Sequence, residues 1–163
     1  MDVRAGQAGD LEQLNELYNH YVRTSACTFD IDEISMDARR EWFNHYSTAG
    51  PHRLFVAEDG AGVVGYAISS RFMERKAYET SVSTSVYCSP DHTGKGIGSE
   101  LYRALFDAIG DEDLHRAYAG ITQPNPASVA LHESFGFKQV ALFSEQGRKF
   151  DRYWDVAWLE KEL

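Results

Sequence analysis

Residues 87–106, YCSPDHTGKGIGSELYRALF, set Gly94, Gly96 and Gly98 on alternate positions and then run straight into a helical pattern. Upstream, residues 78–88 (YETSVSTSVYC) alternate with period two, which predicts a strand. Val82, Thr84 and Val86 share one face; Ser81, Ser83, Ser85 and Tyr87 share the other. Downstream, Ile97, Leu101, Leu105, Phe106 and Ile109 form one apolar helical stripe. Glycine lets a chain turn sharply and brings backbone close to a ligand, because no Cβ intervenes. The free N–H groups at the helix start point into the turn, where the helix dipole favours an anion. The stretch therefore reads as a seat for a phosphate or pyrophosphate; the alternative is a flexible turn that binds nothing. Ser99 and Glu100 exclude a nucleoside-triphosphate loop, which needs Lys-Ser/Thr after its last glycine. The mid-chain position and G-x-G-x-G spacing also depart from the dinucleotide fingerprint.

On either side of this unit the pattern continues as short elements. Asp10 is expected to cap a helix, with Gln13 completing a variant capping box, and Leu11, Leu14, Tyr18, Tyr21 and Val22 supply its stripe. Ser35 caps a second helix containing Trp42, Phe43 and Tyr46, after the loose segment TFDIDEIS. RLFVAE and VVGYAISS, separated by DGAG, read as an antiparallel hairpin. RAYAGIT is another strand, and Asn125 to Phe135 a short helix with Pro126 in its first turn and Gly136 at its end. KQVALFS and YWDVAWLE close the chain as a second hairpin. The expectation is one domain over residues 1–163, an α/β fold with helices on both faces of a mixed sheet in three layers.

Bulk composition narrows the function. The chain has 163 residues, 43% hydrophobic and 25% charged, which suits one soluble globular domain. No apolar run approaches the roughly 20 residues of a membrane span, and MDVRAGQAGDLEQ lacks the pattern of a secretory signal. Cys27 and Cys88 form no disulfide framework or metal-ligand spacing and read as small core residues, suiting a reducing cytoplasm. A formal charge of -9 disfavours nucleic-acid binding, which needs clustered cations. It leaves room for an anion held by backbone N–H groups.

HTGKGIGSEL and NPASVALHESFGF, with the strand feeding the turn, resemble the GNAT superfamily of N-acetyltransferases. LNELYNHYV, EWF, VAEDGAGVVGYA, ERKAYETSVSTSVYCSP and GRKFDRYWDV, in that order, are similar to its phosphinothricin and methionine sulfoximine branch. The resemblance implies a mostly antiparallel, splayed sheet and acetyl-CoA as cosubstrate. It implies that Gly94, Lys95, Gly96, Ile97, Gly98 and Ser99 hold the pyrophosphate, although Thr93 stands where an Arg or Gln is usual. It further implies that the pantetheine arm runs along Val86, Tyr87 and Cys88, with Asn125 near it. Ser128 would then lie toward the thiol or phosphate end. Asn125 is equally a helix N-cap.

The implied reaction is direct attack of a neutral primary amine on the thioester. Ser83 replaces the branch's glutamate and cannot act as a base near neutral pH, though it can position a water. His132 matches a branch histidine and is either a proton shuttle or a helix histidine satisfied locally. Arg75 and Tyr78 match residues that face the substrate, while Met73 replaces a cation. Phe29 and Phe72 either wall the pocket or pack the core, and Lys149 matches a lysine near the site. The resemblance also implies a small amino-acid-like amine as substrate and a homodimer, with no metal, nucleic acid or membrane. The competing readings are a protein N-terminal or lysine acetyltransferase, and an acetyl-CoA-binding protein without catalysis.

Overall fold

The computed structural model describes residues 1–163. Seven strands form one sheet: β1 (Asp2–Ala5), β2 (Leu54–Asp59), β3 (Gly62–Arg71), β4 (Ser81–Cys88), β5 (Arg116–Thr122), β6 (Lys138–Lys149) and β7 (Arg152–Glu162). Four helices accompany them: α1 (Leu11–Thr24), α2 (Met36–Phe43), α3 (Ile97–Ile109) and α4 (Pro126–Ser134). The strand order is β1-β2-β3-β4-β5-β7-β6, and β4–β5 is the only parallel pair.

Period-two alternation in the strands decides which helix covers which face. Val56 and Tyr66 pack with Leu11 and Leu14 of α1. Their neighbours Ala57 and Ala67 point the other way, against Ile97, Leu101, Tyr102 and Leu105 of α3. Further along that second face, Val82, Ala117, Ala119, Ala157 and Leu159 pack with Ile109 and Phe137, and Val129 of α4 closes over them. The sandwich is therefore α1–α2, sheet, α3–α4, as the sequence predicts.

Several expectations need correction. Asp10 makes no side-chain cap for α1. It is buried and takes two hydrogen bonds from Arg4, at 2.8 Å each, and one from the Gln7 N–H, because an ion pair outcompetes a simple cap. Gln13 instead accepts from the Val63 N–H and ties α1 to the β2–β3 turn. α2 is capped by Ser35, whose hydroxyl accepts from the Ala38 N–H, but it ends at Phe43, before Tyr46. β4 begins at Ser81 rather than Tyr78, since β3 runs out of partners at Arg71 opposite Val82. Lys76–Tyr78 coil into a short 3-10 turn. β1 carries too few residues to register as a pattern. The last hairpin is longer than expected and turns through Phe150 and Asp151, at φ 53° and 56°.

Gly65 of β3 lets α3 sit close to the sheet. A Cβ there would lie 3.0 Å from the Tyr87 carbonyl oxygen, 3.1 Å from Ile97 and 3.2 Å from Leu101. Gly65→Val should therefore destabilise the fold by about 1–3 kcal/mol through overpacking, measured as a lower urea midpoint with an unchanged slope.

Candidate active site

β4 and β5 are paired only from Ser81–Arg116 to Ser83–Tyr118. β4 stays bonded to β3 as far as Cys88–Gly65, and β5 to β7 as far as Thr122–Val156. The two strands thus part beyond Ser83, each held by its outer neighbour. Between them opens a cavity of about 480 Å³, lined by Thr84–Cys88 of β4, Ala119–Thr122 of β5, the start of α3 and the inner face of α4. Backbone groups on facing strand edges need partners. Here they meet a slot instead, which suits an extended chain carrying amide groups.

The glycine turn closes one end of that slot. Gly94 and Gly96 have φ of 74° and 79°, the left-handed region where other L-residues are strained. No neighbour lies within 4 Å of where their Cβ atoms would be, so conformation rather than crowding calls for glycine. The N–H groups of Gly94, Lys95, Gly96, Ile97 and Gly98 make no hydrogen bond within the protein. Those of Ser99 and Glu100 are already given to the Gly96 carbonyl, at 3.0 and 3.1 Å. The free donors are therefore residues 94 to 98, at the positive end of α3. Ser99 still lines the cavity, whereas the Lys95 side chain is exposed and outside it. Thr93 donates to the Pro90 carbonyl at 3.3 Å. Gly98 has a separate constraint: a Cβ would come within 2.8 Å of Leu131 on α4.

On the opposite wall, Asn125 caps α4, its side-chain oxygen accepting from the Ser128 N–H at 3.1 Å, and both residues line the cavity. His132 is only 3% exposed. Its Nδ1 lies 2.7 Å from the Ser128 carbonyl, so Nδ1 carries the proton. Nε2 then accepts from the Tyr102 hydroxyl at 2.7 Å. Both ring nitrogens are engaged within the protein, and the ring lines the cavity. Val86, Tyr87, Cys88 and Cys27 line the slot, and Cys88 also packs against the core cluster of Ala57, Ala67 and Leu101. Burial pushes the Cys88 thiol up to about 11 and raises Cys27, so neither is an activated nucleophile.

The expected substrate-side residues do not line this cavity. Ser83 is the last paired position of the fork, opposite Ser70 and Tyr118. Phe72 stacks on Tyr118 with centroids 4.3 Å apart and meets Tyr78 edge-on, while Arg75, between Phe72 and Tyr78 in the chain, is exposed. Phe29 packs over Gly147, whose missing Cβ would fall 2.3 Å from its ring. Lys149 is 3% exposed, and its ammonium donates to the Ser25 and Thr28 carbonyls at 2.7 and 2.8 Å. That lysine pins the loop after α1 rather than presenting a charge to the slot. The sequence reading passed over Tyr21, Ser25, Cys27 and Thr84, all on the cavity wall. Tyr21 donates to the Cys88 carbonyl at 2.5 Å. Only the alternation of β4 hinted at Thr84.

Burial holds His132 below its ordinary value of 6.5, partly offset by its bond to Ser128; burial also lowers His52. As pH falls below 6.5 the unfolded chain binds protons that the folded chain refuses, so stability contributed by the neutral rings is full above that pH and lost below it. Thermal midpoints should drop between pH 7 and about 5.5, with a shallower slope in His132→Gln.

Similarity to known proteins agrees with this geometry. Residues 12–137 match the family model described as the Acetyltransferase (GNAT) family. A phosphinothricin N-acetyltransferase of Streptomyces coelicolor is 52% identical over 165 residues, covering 100% of this chain and 96% of that protein. An L-methionine sulfoximine/L-methionine sulfone acetyltransferase of Salmonella typhimurium is 31% identical over 163 residues, covering 100% and 95%. The crystal structure of a GNAT superfamily phosphinothricin acetyltransferase from Sinorhizobium meliloti, in complex with AcCoA, superposes with a TM-score of 0.92 at 32% identity. That match spans 99% of this chain and 88% of the other. With a forked sheet, a glycine-lined helix start and this full-length kinship, the chain belongs to the GNAT family of acetyl-CoA-dependent N-acetyltransferases.

Proposed function

We propose that this enzyme acetylates the α-amine of a small L-amino acid of the phosphinothricin or methionine sulfoximine type. The observation that carries this reading is the 52% identity, along the whole chain, to a phosphinothricin N-acetyltransferase. The free amides of residues 94–98 would hold the pyrophosphate of acetyl-CoA, and the parted edges of β4 and β5 its pantetheine arm. The thioester supplies an activated acetyl group for direct aminolysis. A backbone N–H of β4 near Val86–Cys88 would stabilise the oxyanion, and the narrow slot aligns amine and carbonyl.

Arg75 is the cation best placed to meet a substrate carboxylate. It makes no ion pair within the protein, and it stands beside the Phe72–Tyr78–Tyr118 aromatic group. Lys149 is already bonded to two carbonyls and falls away from that role. Met73, 47% exposed, offers no second charge for a phosphinate. The reading includes a homodimer in the cytoplasm. Val140, Leu142, Phe143, Phe150 and Tyr153 each stand at least half exposed on the edge strand β6 and its hairpin, an apolar edge that a second copy would cover.

Purified protein given acetyl-CoA should release CoA with phosphinothricin, methionine sulfoximine or a related amino acid. Acetylation of peptide N-termini but of no free amino acid would overturn the proposal. Arg75→Ala should raise KM for the amino acid about 10–100-fold while sparing a carboxylate-free amine analogue. Replacing Gly96 with Ala should weaken acetyl-CoA binding, read by calorimetry, since a left-handed alanine costs about 1–2 kcal/mol.

A further inference from the structure

No lysine or arginine lines the cavity between β4 and β5, and its only basic side chains are His92 and His132. His132 is buried and has both ring nitrogens engaged within the protein. A diphosphate carries full negative charges, whereas free backbone amides oppose them with partial positive ones. His92 is therefore the one side chain on the cavity wall that is free to meet such an anion with a full positive charge.

The turn leading into α3 places it there. The Ser89 N–H donates to the Val64 carbonyl at 2.8 Å, which ties the turn to β3. The His92 N–H donates back to the Ser89 carbonyl at 2.9 Å and closes the 3-10 turn Pro90–His92. Its ring reaches across to the end of β2, where Nε2 lies 3.0 Å from the Asp59 carboxylate. Asp59 is itself fixed, because the Ala61 N–H donates to it at 2.9 Å; that bond, ahead of the one from His92, holds the carboxyl below its ordinary 3.8. An ionised carboxylate only accepts, so Nε2 carries a proton. Nδ1 has Ser89 Oγ as its one partner, at a loose 3.4 Å. A neutral ring would present a lone pair at Nδ1, whereas a protonated ring donates on both sides. Of the other charges close by in the chain, Asp91 and Lys95 are exposed on the same turn, and Glu100 of α3 is paired with Arg103 at 2.7 Å. Asp59 is the charge bonded to the ring.

We propose that His92, oriented and kept protonated by Asp59, is the side-chain contact for the pyrophosphate of acetyl-CoA. It stands one residue before Thr93, whose hydroxyl is turned to the Pro90 carbonyl. Nε2–H stays on Asp59, and Nδ1–H is the donor left for a phosphate oxygen. Carboxylate, imidazolium and phosphate then alternate in sign, so the ring also screens the anion from Asp59 in an acidic chain. His92 is a binding residue and Asp59 the positioning residue behind it. The proposal rests on the reading of the amides at residues 94–98 as the phosphate seat.

The test compares ligands with and without phosphate. His92→Gln keeps a hydrogen-bonding side chain and removes the charge, so calorimetry should show CoA bound roughly 10-fold more weakly. That deficit should shrink to under about threefold in roughly 0.5 M salt, since the lost attraction is between partly exposed charges. With S-acetylpantetheine, which carries no phosphate, kcat/KM of the variant should stay within about twofold of wild type. Asp59→Asn should weaken CoA binding roughly threefold by itself and no further in the His92→Gln background, because it acts through that ring. CoA bound by His92→Gln as tightly as by wild type, an equal loss with S-acetylpantetheine, a deficit unmoved by salt, or multiplied losses in the double variant would each overturn the proposal. A wild-type protein that held CoA no more tightly than pantetheine would instead overturn the phosphate seat on which it rests.

Discussion

The constraint on which the structure depends is the short pairing of β4 with β5. Ser81–Ser83 meets Arg116–Tyr118, and beyond that the strands separate. An interruption inside a sheet would ordinarily leave peptide groups without partners. It is tolerated because each strand remains fully bonded on its outer side, β4 to β3 and β5 to β7. Below the fork, Val82, Ala117 and Leu159 are buried and fix the angle; above it, α3 and α4 seal the ends of the slot. The opening is thus held by packing on both flanks, and needs no mobile lid to exist.

The acidity of the chain explains how its anion seat is built. With 25 acidic against 16 basic residues, the protein could not rely on a general positive field to attract a polyanion. Free amides at a helix start do the same work locally and without a side chain. Lys95, the cation nearest to that turn in sequence, faces outward. Two other cations serve the fold. Lys149 ties β6 to the loop after α1, and Arg39 lies buried between the Tyr18 and Trp42 rings while donating to Asn15. Both are desolvated cations held by dipoles and aromatic faces, with no carboxylate among their hydrogen-bond partners. Arg75, exposed and unpaired, is the contrasting case, a charge left available to something outside the chain.

The α3–α4 side of the slot carries the polar chemistry. Tyr102 and His132 are a buried pair with a determined direction, and His132 itself lines the cavity, as does Thr84. The Tyr66–Tyr87 stack stands on the other face of β4, with Tyr18 and Tyr21 against it. One strand therefore separates a polar line from an aromatic one, a direct consequence of period-two alternation in SVSTSVYC.

By itself the sequence determined the layers, the glycine turn and the family. Alternation and helical stripes are local properties, and Gly94 and Gly96 declare a backbone conformation that few other residues adopt. It also determined what Ser83 lacks, since a hydroxyl has no basicity to offer. Only the tertiary structure decided which groups face the slot. Asp10 left its cap for Arg4, Lys149 turned to two carbonyls, and Tyr102 reached His132 across thirty positions of chain. Such pairings depend on distances between elements that are remote in sequence, and burial selects the strongest partner present. A residue's type fixes what it can bond; only the folded chain fixes what is there to be bonded.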